Sequence, residues 1–323
     1  MIRIGLLGAG YLGKIHLRLL RELAGAELAG FYDSDPEVAA RVSAESGVAA
    51  FPDAASLIQA CDALDIVTPT VSHYAYAEQG LRAGRHLFIE KPLTASVAEG
   101  RALAALAAAH PELVVQVGHV ERFNPAFLAV QPLGLAPRFI EGHRLAPYNP
   151  RGTDVSVVLD LMIHDLDIVL SLVRAPLQRV SAAGVSVISD TPDLANARLE
   201  FENGCVANLT ASRISMKPMR RLRLFQHHAY VAMDFLTRQA EVVQVSDQAA
   251  PNALPLSPAP GQPSRYLVLN QPPAPEVNSI GLELESFVRS IRSGTPPPVP
   301  LADGLAALEA AWQIIGCMAE ARV

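Results

Sequence analysis

The sequence predicts an α/β protein with a doubly wound parallel sheet first and an α+β domain with a large, mostly antiparallel open sheet second. Apolar strands alternate with amphipathic helical segments up to about residue 118, as in parallel sheets. After about residue 180, strands follow one another without intervening helices, as in antiparallel sheets. We expect two domains, 1–121 and 122–323, with the option that the last helix packs back on the first domain.

Composition narrows the class of protein. The chain has 323 residues, of which 50% are hydrophobic and 18% charged, so we expect two folded domains and no disordered chain. The net charge of −6 argues against a nucleic-acid partner. The three cysteines are widely spaced, which favours reduced thiols. No apolar run approaches the ~20 residues of a membrane span, and the first strand leaves no room for a signal peptide, so we expect a cytoplasmic protein without a membrane partner.

A glycine-rich turn directly follows the first predicted strand, Ile2–Leu7. The turn is Gly8-Ala9-Gly10-Tyr11-Leu12-Gly13, and an amphipathic helix follows it. Glycines at this spacing permit a tight turn, a close approach of pyrophosphate to the backbone, and close packing of helix on strand. The helix N-terminus adds free N–H groups and the positive end of its dipole. The pattern predicts a dinucleotide-binding domain.

The second strand, Ala26–Tyr32, ends at Asp33. A carboxylate at this position accepts hydrogen bonds from the adenosine ribose and repels a 2′-phosphate, which favours NAD over NADP. The next helix is predicted to begin with a capping box between Ser34 and Glu37.

Two further strand ends carry polar residues. The strand from Ala63 is stopped by Pro69, so Thr68 and Pro69 are expected in a loop over the cofactor. His73 begins the next helix, where either a contact with the ligand or a solvated position in the first turn is expected.

A later strand, Leu87–Ile89, runs into Glu90-Lys91-Pro92. Lys91 at a strand's carboxyl end is able to orient a hydroxyl and stabilise its developing negative charge. Taken alone, this stretch favours a surface lysine in a turn, and the neighbouring motifs are what favour the functional interpretation.

A second polar cluster lies on a predicted helix from Leu159 to Val173. Asp160, His164 and Asp167 share one face of this helix at i, i+4 and i+7. A histidine with an orienting carboxylate one turn away suits general-base chemistry. A metal site and a solvated helix face are the alternatives. No third metal ligand is evident and Lys91 would repel a cation, so we predict no metal.

Arg144 and Arg151 precede this helix and are candidates to hold an anionic substrate group, with ordinary surface arginines as the alternative. The basic run from Lys217 to Arg223 is predicted to be a solvated strand edge, with a phosphate site as the more specific alternative.

The proline-rich stretch 249–276 is expected to hold little regular structure beyond Tyr266–Leu269. The later strands are predicted at Arg138–Leu145, Val185–Ile188, Ala197–Phe201, Val206–Ser212, Leu222–Phe225 and Tyr230–Asp234. Trp312 on the last helix is expected in the core.

Together these motifs resemble the Gfo/Idh/MocA family of oxidoreductases. The matching residues are Gly8, Gly10 and Gly13 with Asp33, Thr68-Pro69 with His73, Glu90-Lys91-Pro92, and Asp160-x-x-x-His164. The resemblance implies an N-terminal Rossmann domain that binds NAD through these first three motifs, and catalytic and substrate-binding roles for Lys91, Asp160 and His164. It also implies a sugar substrate and a homo-oligomer, dimer or tetramer, assembled through the C-terminal sheet.

Two stretches, 118–125 and 160–165, resemble a narrower branch of that family. Members of this branch oxidise the 3-hydroxyl of a UDP-linked N-acetylhexosamine before a transamination on a route to lipid A. A free-sugar or inositol dehydrogenase of the same family is the alternative enzyme. A non-catalytic NAD-binding sensor is the alternative of another class.

Overall fold

The computed structural model describes residues 1–149, 155–249, 253–256 and 264–320. The described strands are β1 (Ile2–Leu7), β2 (Ala26–Tyr32), β3 (Ala63–Ile66), β4 (His86–Glu90), β5 (Val115–Gly118), β6 (Phe139–Leu145), β7 (Leu177–Val185), β8 (Leu194–Phe201), β9 (Val206–Ser212), β10 (Met219–Gln226), β11 (Ala229–Asp234), β12 (Gln239–Ser246), β13 (Ala253–Leu256) and β14 (Arg265–Asn270). The described α-helices are α1 (Tyr11–Glu22), α2 (Pro36–Ser46), α3 (Ala54–Ala60), α4 (His73–Arg82), α5 (Val97–Ala108), α6 (Pro125–Val130), α7 (Ile163–Val173), α8 (Ser279–Ser293) and α9 (Leu301–Glu320). Short 3₁₀ segments lie at Thr70–Ser72, Val120–Phe123 and Gln131–Leu133, and a π-helical turn lies at Val158–Met162.

By contact, the residues group into two units. The first contains Met1–Val120 and Val277–Glu309, and the second contains Glu121–Glu276 and the residues from Ala310 onward. This grouping differs from the predicted split at 121/122 in two respects. The first seam lies between Val120 and Glu121, and Val277–Glu309, which includes the first half of the last helix, packs with the first unit.

The first unit is built on a five-stranded parallel sheet with the order β2-β1-β3-β4-β5. The predicted doubly wound parallel sheet is therefore confirmed. From β1 the chain crosses to β2 on one side and later returns to β3 on the other side, so the winding direction reverses beside β1. Open α/β sheets bind ligands at this reversal, outside the carboxyl ends of the strands.

Helix α8 covers part of this sheet. The ring of Phe287 packs against Phe88 of β4 at 5.9 Å between centroids, and the side-chain amide of Gln116 on β5 donates to the backbone oxygen of Glu283 at 3.0 Å. Phe287 is 1% exposed, and burial of such a ring contributes about 2 kcal/mol. A sequence-distant helix thus completes the first core, which explains why this segment joins the first unit.

The second unit is built on a nine-stranded sheet with the order β13-β14-β12-β11-β10-β6-β9-β8-β7. Only β6 and β9 run parallel among its described neighbours, so the predicted mostly antiparallel sheet is confirmed. Alternate residues of β6, namely Ile140, Gly142 and Arg144, are buried on the inner face. Helix α7 packs on β6, and α6 packs on β11 and β12.

Several predicted elements of this unit need correction. The strand predicted at Val185–Ile188 is wrong, because β7 ends at Val185 and the next backbone N–H groups turn onto a carboxylate. Asp193 Oδ2 accepts from Val187, Ile188 and Ser189 at 2.8, 2.7 and 3.0 Å.

The basic run does not lie on a strand edge. Strand β10 is central, and Arg221 and Arg223 pair with Asp234 and Glu141, both at 2.7 Å. The proline-rich stretch contains β13 as well as β14, because Pro255 is tolerated on an edge strand that pairs on one side only.

Helix α9 is long and apolar enough to cross a membrane by length and composition alone. Four of its residues, Ala307, Leu308, Ala311 and Ile314, are completely buried, which is the packing of a core helix. The prediction that Trp312 belongs to the core is wrong, since this side chain is 38% exposed.

Candidate active site

The glycine turn after β1 uses each glycine for a different reason. Gly8 has a φ of +94°, and a Cβ there would lie 2.8 Å from the Val67 backbone oxygen. A Cβ on Gly13 would collide with the backbone oxygen of Gly8. A Cβ on Gly10 would meet nothing within 4 Å. Two glycines therefore permit the local packing, whereas Gly10 keeps open the space through which a ligand reaches the N-terminus of α1.

Asp33 is fixed against this turn. Its Oδ2 accepts the Ala9 N–H at 2.8 Å, and its Oδ1 accepts the Asp35 N–H at 2.9 Å. Each oxygen retains a lone pair that a ligand is able to use, since Asp33 lines the adjoining cleft. The predicted capping box at Ser34 and Glu37 is wrong. Asp35 caps α2 by accepting the N–H groups of Glu37 and Val38 at 2.9 and 3.3 Å.

A cleft of about 740 Å³ runs along the carboxyl ends of the first sheet. It is lined by Gly8, Gly10, Tyr11, Leu12, Tyr32, Asp33, Ser34, Val38, Val67, Thr68, Pro69, Val71, Ser72, Tyr76, Glu90 and Lys91. It extends from the end of β2 to the end of β4, three strand spacings or roughly 14 Å. A length of this order, an open glycine turn at its middle and a carboxylate at one end fit an extended dinucleotide.

His73 is buried, so the expected solvated position in the first turn is wrong, and a contact with the ligand stays a prediction. The side chain is 1% exposed, its Nε2 is 2.8 Å from the Thr68 oxygen, and its Nδ1 is 3.0 Å from the Pro92 oxygen. Burial lowers the pKa of His73, although both backbone contacts oppose that shift. A neutral imidazole has one N–H and donates to one carbonyl at a time. His73 thus joins the loops after β3 and β4.

Glu90 and Lys91 form the wall of the cleft at the end of β4. Lys91 is half-buried, and its backbone N–H donates to Glu90 Oε2 at 3.1 Å. Behind Glu90 lies a cluster that sequence reasoning missed, formed by Asp65 and His16. His16 Nδ1 is 2.9 Å from Asp65 Oδ2, and His16 Nε2 is 3.4 Å from Glu90 Oε1.

The second unit carries the other predicted catalytic residues. Asp160 lies in the π-helical turn and His164 in the first turn of α7, and both are half-buried. A continuous α-helix was expected, and π-helical turns are common at functional sites. Asp167 does not belong with this pair, because it is 1% exposed and binds the Arg122 guanidinium at 2.6 and 2.8 Å.

Arg144 has a structural environment that argues against a substrate contact. Its guanidinium binds Asp165 at 2.7 and 3.1 Å and Glu121 at 2.8 Å, and the residue is 2% exposed. Burial alone would lower the pKa of Arg144, but the two carboxylates outweigh it and raise the pKa further. Arg151 lies outside the described residues. Within the described residues, no group of three or more histidine, cysteine or acidic side chains is arranged to hold a metal.

Comparison with known proteins decides the family. Residues 2–119 match the Gfo/Idh/MocA oxidoreductase family with an NAD-binding Rossmann fold, and residues 138–231 match the Gfo/Idh/MocA C-terminal domain. The UDP-N-acetylglucosamine 3-dehydrogenase of Acidithiobacillus ferrooxidans is 37% identical over 314 residues, 97% of this chain and 96% of the relative. The chain belongs to the Gfo/Idh/MocA family. It is an oxidoreductase with an N-terminal NAD-binding Rossmann domain.

Solved structures of the family agree with this placement. A structure of the Acidithiobacillus ferrooxidans enzyme superposes with a TM-score of 0.87 at 35% identity, covering 98% of this chain and 97% of that chain. A more distant family member, the inositol 2-dehydrogenase of Rhizobium meliloti, is 27% identical over 343 residues, covering 99% of this chain and 98% of the relative.

Proposed function

We propose that this protein is an NAD-dependent dehydrogenase that oxidises the 3-hydroxyl of a UDP-linked N-acetylhexosamine. The observation that carries the proposal is the 37% identity, over 97% of the chain, to a UDP-N-acetylglucosamine 3-dehydrogenase. The cleft at the carboxyl ends of the first sheet supports the cofactor half of the proposal, because Lys91 lies at the end opposite Asp33.

NAD would be held by the residues that line this cleft. Asp33 would accept hydrogen bonds from the ribose hydroxyls. The open side of Gly10 would admit the pyrophosphate to the backbone N–H groups of Tyr11 and Leu12. The far half of the cleft is lined by Thr68, Pro69 and Glu90. Gly8 and Gly13 serve by shaping the turn, and His73 serves by joining two of the lining loops. When bound, NAD supplies the hydride acceptor.

The residues of the chain would manage the hydroxyl and its proton. We assign Lys91 to orient the substrate hydroxyl and stabilise its developing negative charge. His164 accepts the hydroxyl proton as general base, and Asp160 orients the His164 imidazole. With Arg144 enclosed by carboxylates, Arg151 is the candidate that we retain for the substrate diphosphate.

We further propose a homo-oligomer that forms through the outer face of the nine-stranded sheet. Three aromatic residues cluster on that face: Phe225 lies 5.8 Å from Phe139 and 5.0 Å from Tyr230 between ring centroids, and Phe225 is 39% exposed. Exposed aromatic clusters are enriched in interfaces. Sedimentation velocity of the wild type against Phe225→Glu tests this, with a dimer or tetramer expected only for the wild type. A monomeric wild type would contradict it.

We also propose a reducing, cytoplasmic setting, because Cys61, Cys205 and Cys317 are all free thiols. The keto product is proposed to be removed by an aminotransferase, as in the making of an amide-linked lipid A.

The substrate proposal is tested by NADH formation at 340 nm with UDP-N-acetylglucosamine, free N-acetylglucosamine and inositols in parallel. Glutamate and an aminotransferase remove the ketone so that an unfavourable equilibrium cannot hide turnover. NADH only with the nucleotide sugar is the expected result. NADH with inositol alone would move the protein to the inositol dehydrogenases of its family. If no substrate gave NADH although calorimetry showed NAD binding, the result would favour a non-catalytic NAD-binding sensor.

A further inference from the structure

A buried chain of three ionisable side chains ends at the wall of the cofactor cleft. Asp65 on β3 contacts His16 on α1 at 2.9 Å, and His16 contacts Glu90 on β4 at 3.4 Å. Asp65 and His16 are both 0% exposed, whereas Glu90 is 8% exposed and lines the cleft. Of these three side chains, Glu90 is therefore the one that lines the cleft.

The arrangement of protons follows from the donors and acceptors. As an imidazolium, His16 donates Nδ1–H to Asp65 and forms an ion pair with Glu90 through Nε2 at 3.4 Å, and both carboxylates are ionised. As a neutral imidazole donating to Asp65, it would turn the Nε2 lone pair toward a carboxylate unless Glu90 carried the proton. Either distribution leaves the cluster with a net charge of −1, and Glu90 is charged only in the first of the two. A third distribution, with the proton on Asp65 and a neutral His16 protonated at Nε2, also leaves Glu90 charged, since burial raises the pKa of Asp65.

The surroundings favour the imidazolium. Burial alone would lower the pKa of His16, but the charges of Asp65 and Glu90 and the hydrogen bond to Asp65 outweigh burial and hold the pKa well above 6.5. Asp65 and Glu90 are the ionisable groups that act on His16 among the described residues. The Phe88 ring, which carries no charge, also lies beside His16, with 5.9 Å between the ring centroids. Because Asp65 and His16 are fully buried, water screens this cluster little.

The two ends of the cleft are chemically different. Asp33 marks one end as the adenosine side, so the nicotinamide side lies toward Glu90 and Lys91, an orientation that rests on the proposed function. The nicotinamide ring carries a positive charge in NAD⁺ and none in NADH. A fixed negative charge beside it therefore acts on the oxidised form alone.

We propose that Asp65, His16 and Glu90 form a charge-holding cluster, with His16 as an imidazolium and Glu90 ionised, that makes the protein bind NAD⁺ more tightly relative to NADH. Glu90 supplies the charge at the cleft wall. His16 and Asp65 are positioning residues that keep Glu90 ionised and fixed. Lys91 adds an opposite charge nearby, which is present with both cofactor forms and in both Glu90→Gln and the control variant Glu112→Gln.

The first test compares dissociation constants for NAD⁺, by calorimetry, with those for NADH, by fluorescence, in wild type and Glu90→Gln. We expect NAD⁺ binding about tenfold weaker in the variant, a change of about 1.4 kcal/mol, and NADH binding within about twofold of wild type. Equal weakening of both forms, or no change in either, would overturn the proposal.

Glu112→Gln is the matched control. Glu112 precedes β5 at the amino end of the strands, opposite the cleft, and its side chain is 66% exposed. This substitution removes the same charge and is expected to leave both dissociation constants unchanged. A tenfold loss for NAD⁺ in this control would show that net charge alone, without the cluster, sets the preference.

A second measurement uses the wild type, so it does not depend on the folding of any variant. Nitrogen-15 NMR of the imidazole rings, with His16 assigned through its own backbone resonances, is expected to show both His16 nitrogens protonated at pH 7.5. A neutral His16 at that pH would overturn the proposal. Neither readout involves sugar turnover, so a failure here and a failure of the substrate assay are distinguishable.

Discussion

The first unit buries an imidazole between two carboxylates, whereas the second unit buries a guanidinium between two carboxylates. Around His16 the contacts are 2.9 and 3.4 Å, and around Arg144 the shortest contacts are 2.7 and 2.8 Å. A guanidinium stays charged at every accessible pH and pairs with a carboxylate through two parallel N–H groups. An imidazole gains and loses its proton near neutrality.

The two clusters also differ in whether they reach a cleft. Glu90 lines the cofactor cleft, while Arg144, Glu121 and Asp165 are each at most 5% exposed. Buried charge by itself therefore does not indicate a functional site. A central group that titrates, together with a partner that reaches a ligand, distinguishes the His16 cluster from the Arg144 cluster, which we interpret as structural.

The largest effect is expected from Arg144→Ala. This change removes the buried guanidinium that binds both Glu121 and Asp165 and leaves the half-exposed Arg220, 3.7 Å from Glu121, as a weaker partner. It should cost about 3–5 kcal/mol of unfolding free energy. Urea denaturation measures it. Arg221→Ala, which breaks an ion pair whose arginine side chain is 60% exposed, is the control and should cost less than about 1 kcal/mol. A stable Arg144→Ala protein with a raised KM for the sugar would restore Arg144 as a substrate ligand.

A smaller but more selective effect is expected from Lys91→Ala. Turnover should fall by about 10²–10³-fold or more, because the variant loses the cation that stabilises the developing alkoxide. NAD binding by calorimetry should not weaken, because the variant loses a positive charge near the nicotinamide, and the unfolding free energy should stay close to wild type, unlike that of Arg144→Ala. Retained turnover in Lys91→Ala would remove this residue from the mechanism.

The smallest effect is a pH dependence that only the His16 cluster should produce. Because the pKa of His16 is raised in the folded protein, its stabilisation is complete below about pH 6.5 and is lost as pH rises through the folded pKa. The unfolding free energy should therefore fall on the alkaline side of neutrality, by a larger amount in wild type than in His16→Gln. Urea titrations at pH 6.5 and 9 measure this. Identical pH slopes would show that the pKa of His16 is not raised in the folded protein.

Local signals were sufficient for much of the fold and for part of the site. The turn from Gly8 to Gly13 and the run Glu90-Lys91-Pro92 each combine a strand end with a breaker within a few residues, so the sequence alone placed them at the carboxyl edge of a parallel sheet. The same reasoning located the polar pair Asp160 and His164, but it could not foresee the π-helical turn that carries Asp160.

Contacts between segments that are distant in the sequence were the main features that the sequence did not predict, although some of the residues involved stand in a recognisable pattern. His16 shares the inner helix face of Gly13, Leu17 and Leu20, and Asp65 interrupts an apolar strand, so both were recognisable as buried polar residues. Arg144 follows Ile140 and Gly142 at period two on the inner face of β6, a pattern that argued against a solvent-facing arginine. The packing of α8 on the first sheet depends on tertiary contacts alone.

The central claim is oxidation at C3 of a UDP-linked sugar with transfer of its hydrogen to NAD. It is tested most directly with UDP-N-acetylglucosamine carrying deuterium at C3, followed by mass spectrometry of the NADH formed. The account predicts NADH that contains one deuterium and a slower reaction than with unlabelled sugar. NADH without deuterium would show that the hydrogen comes from another carbon and would contradict the account.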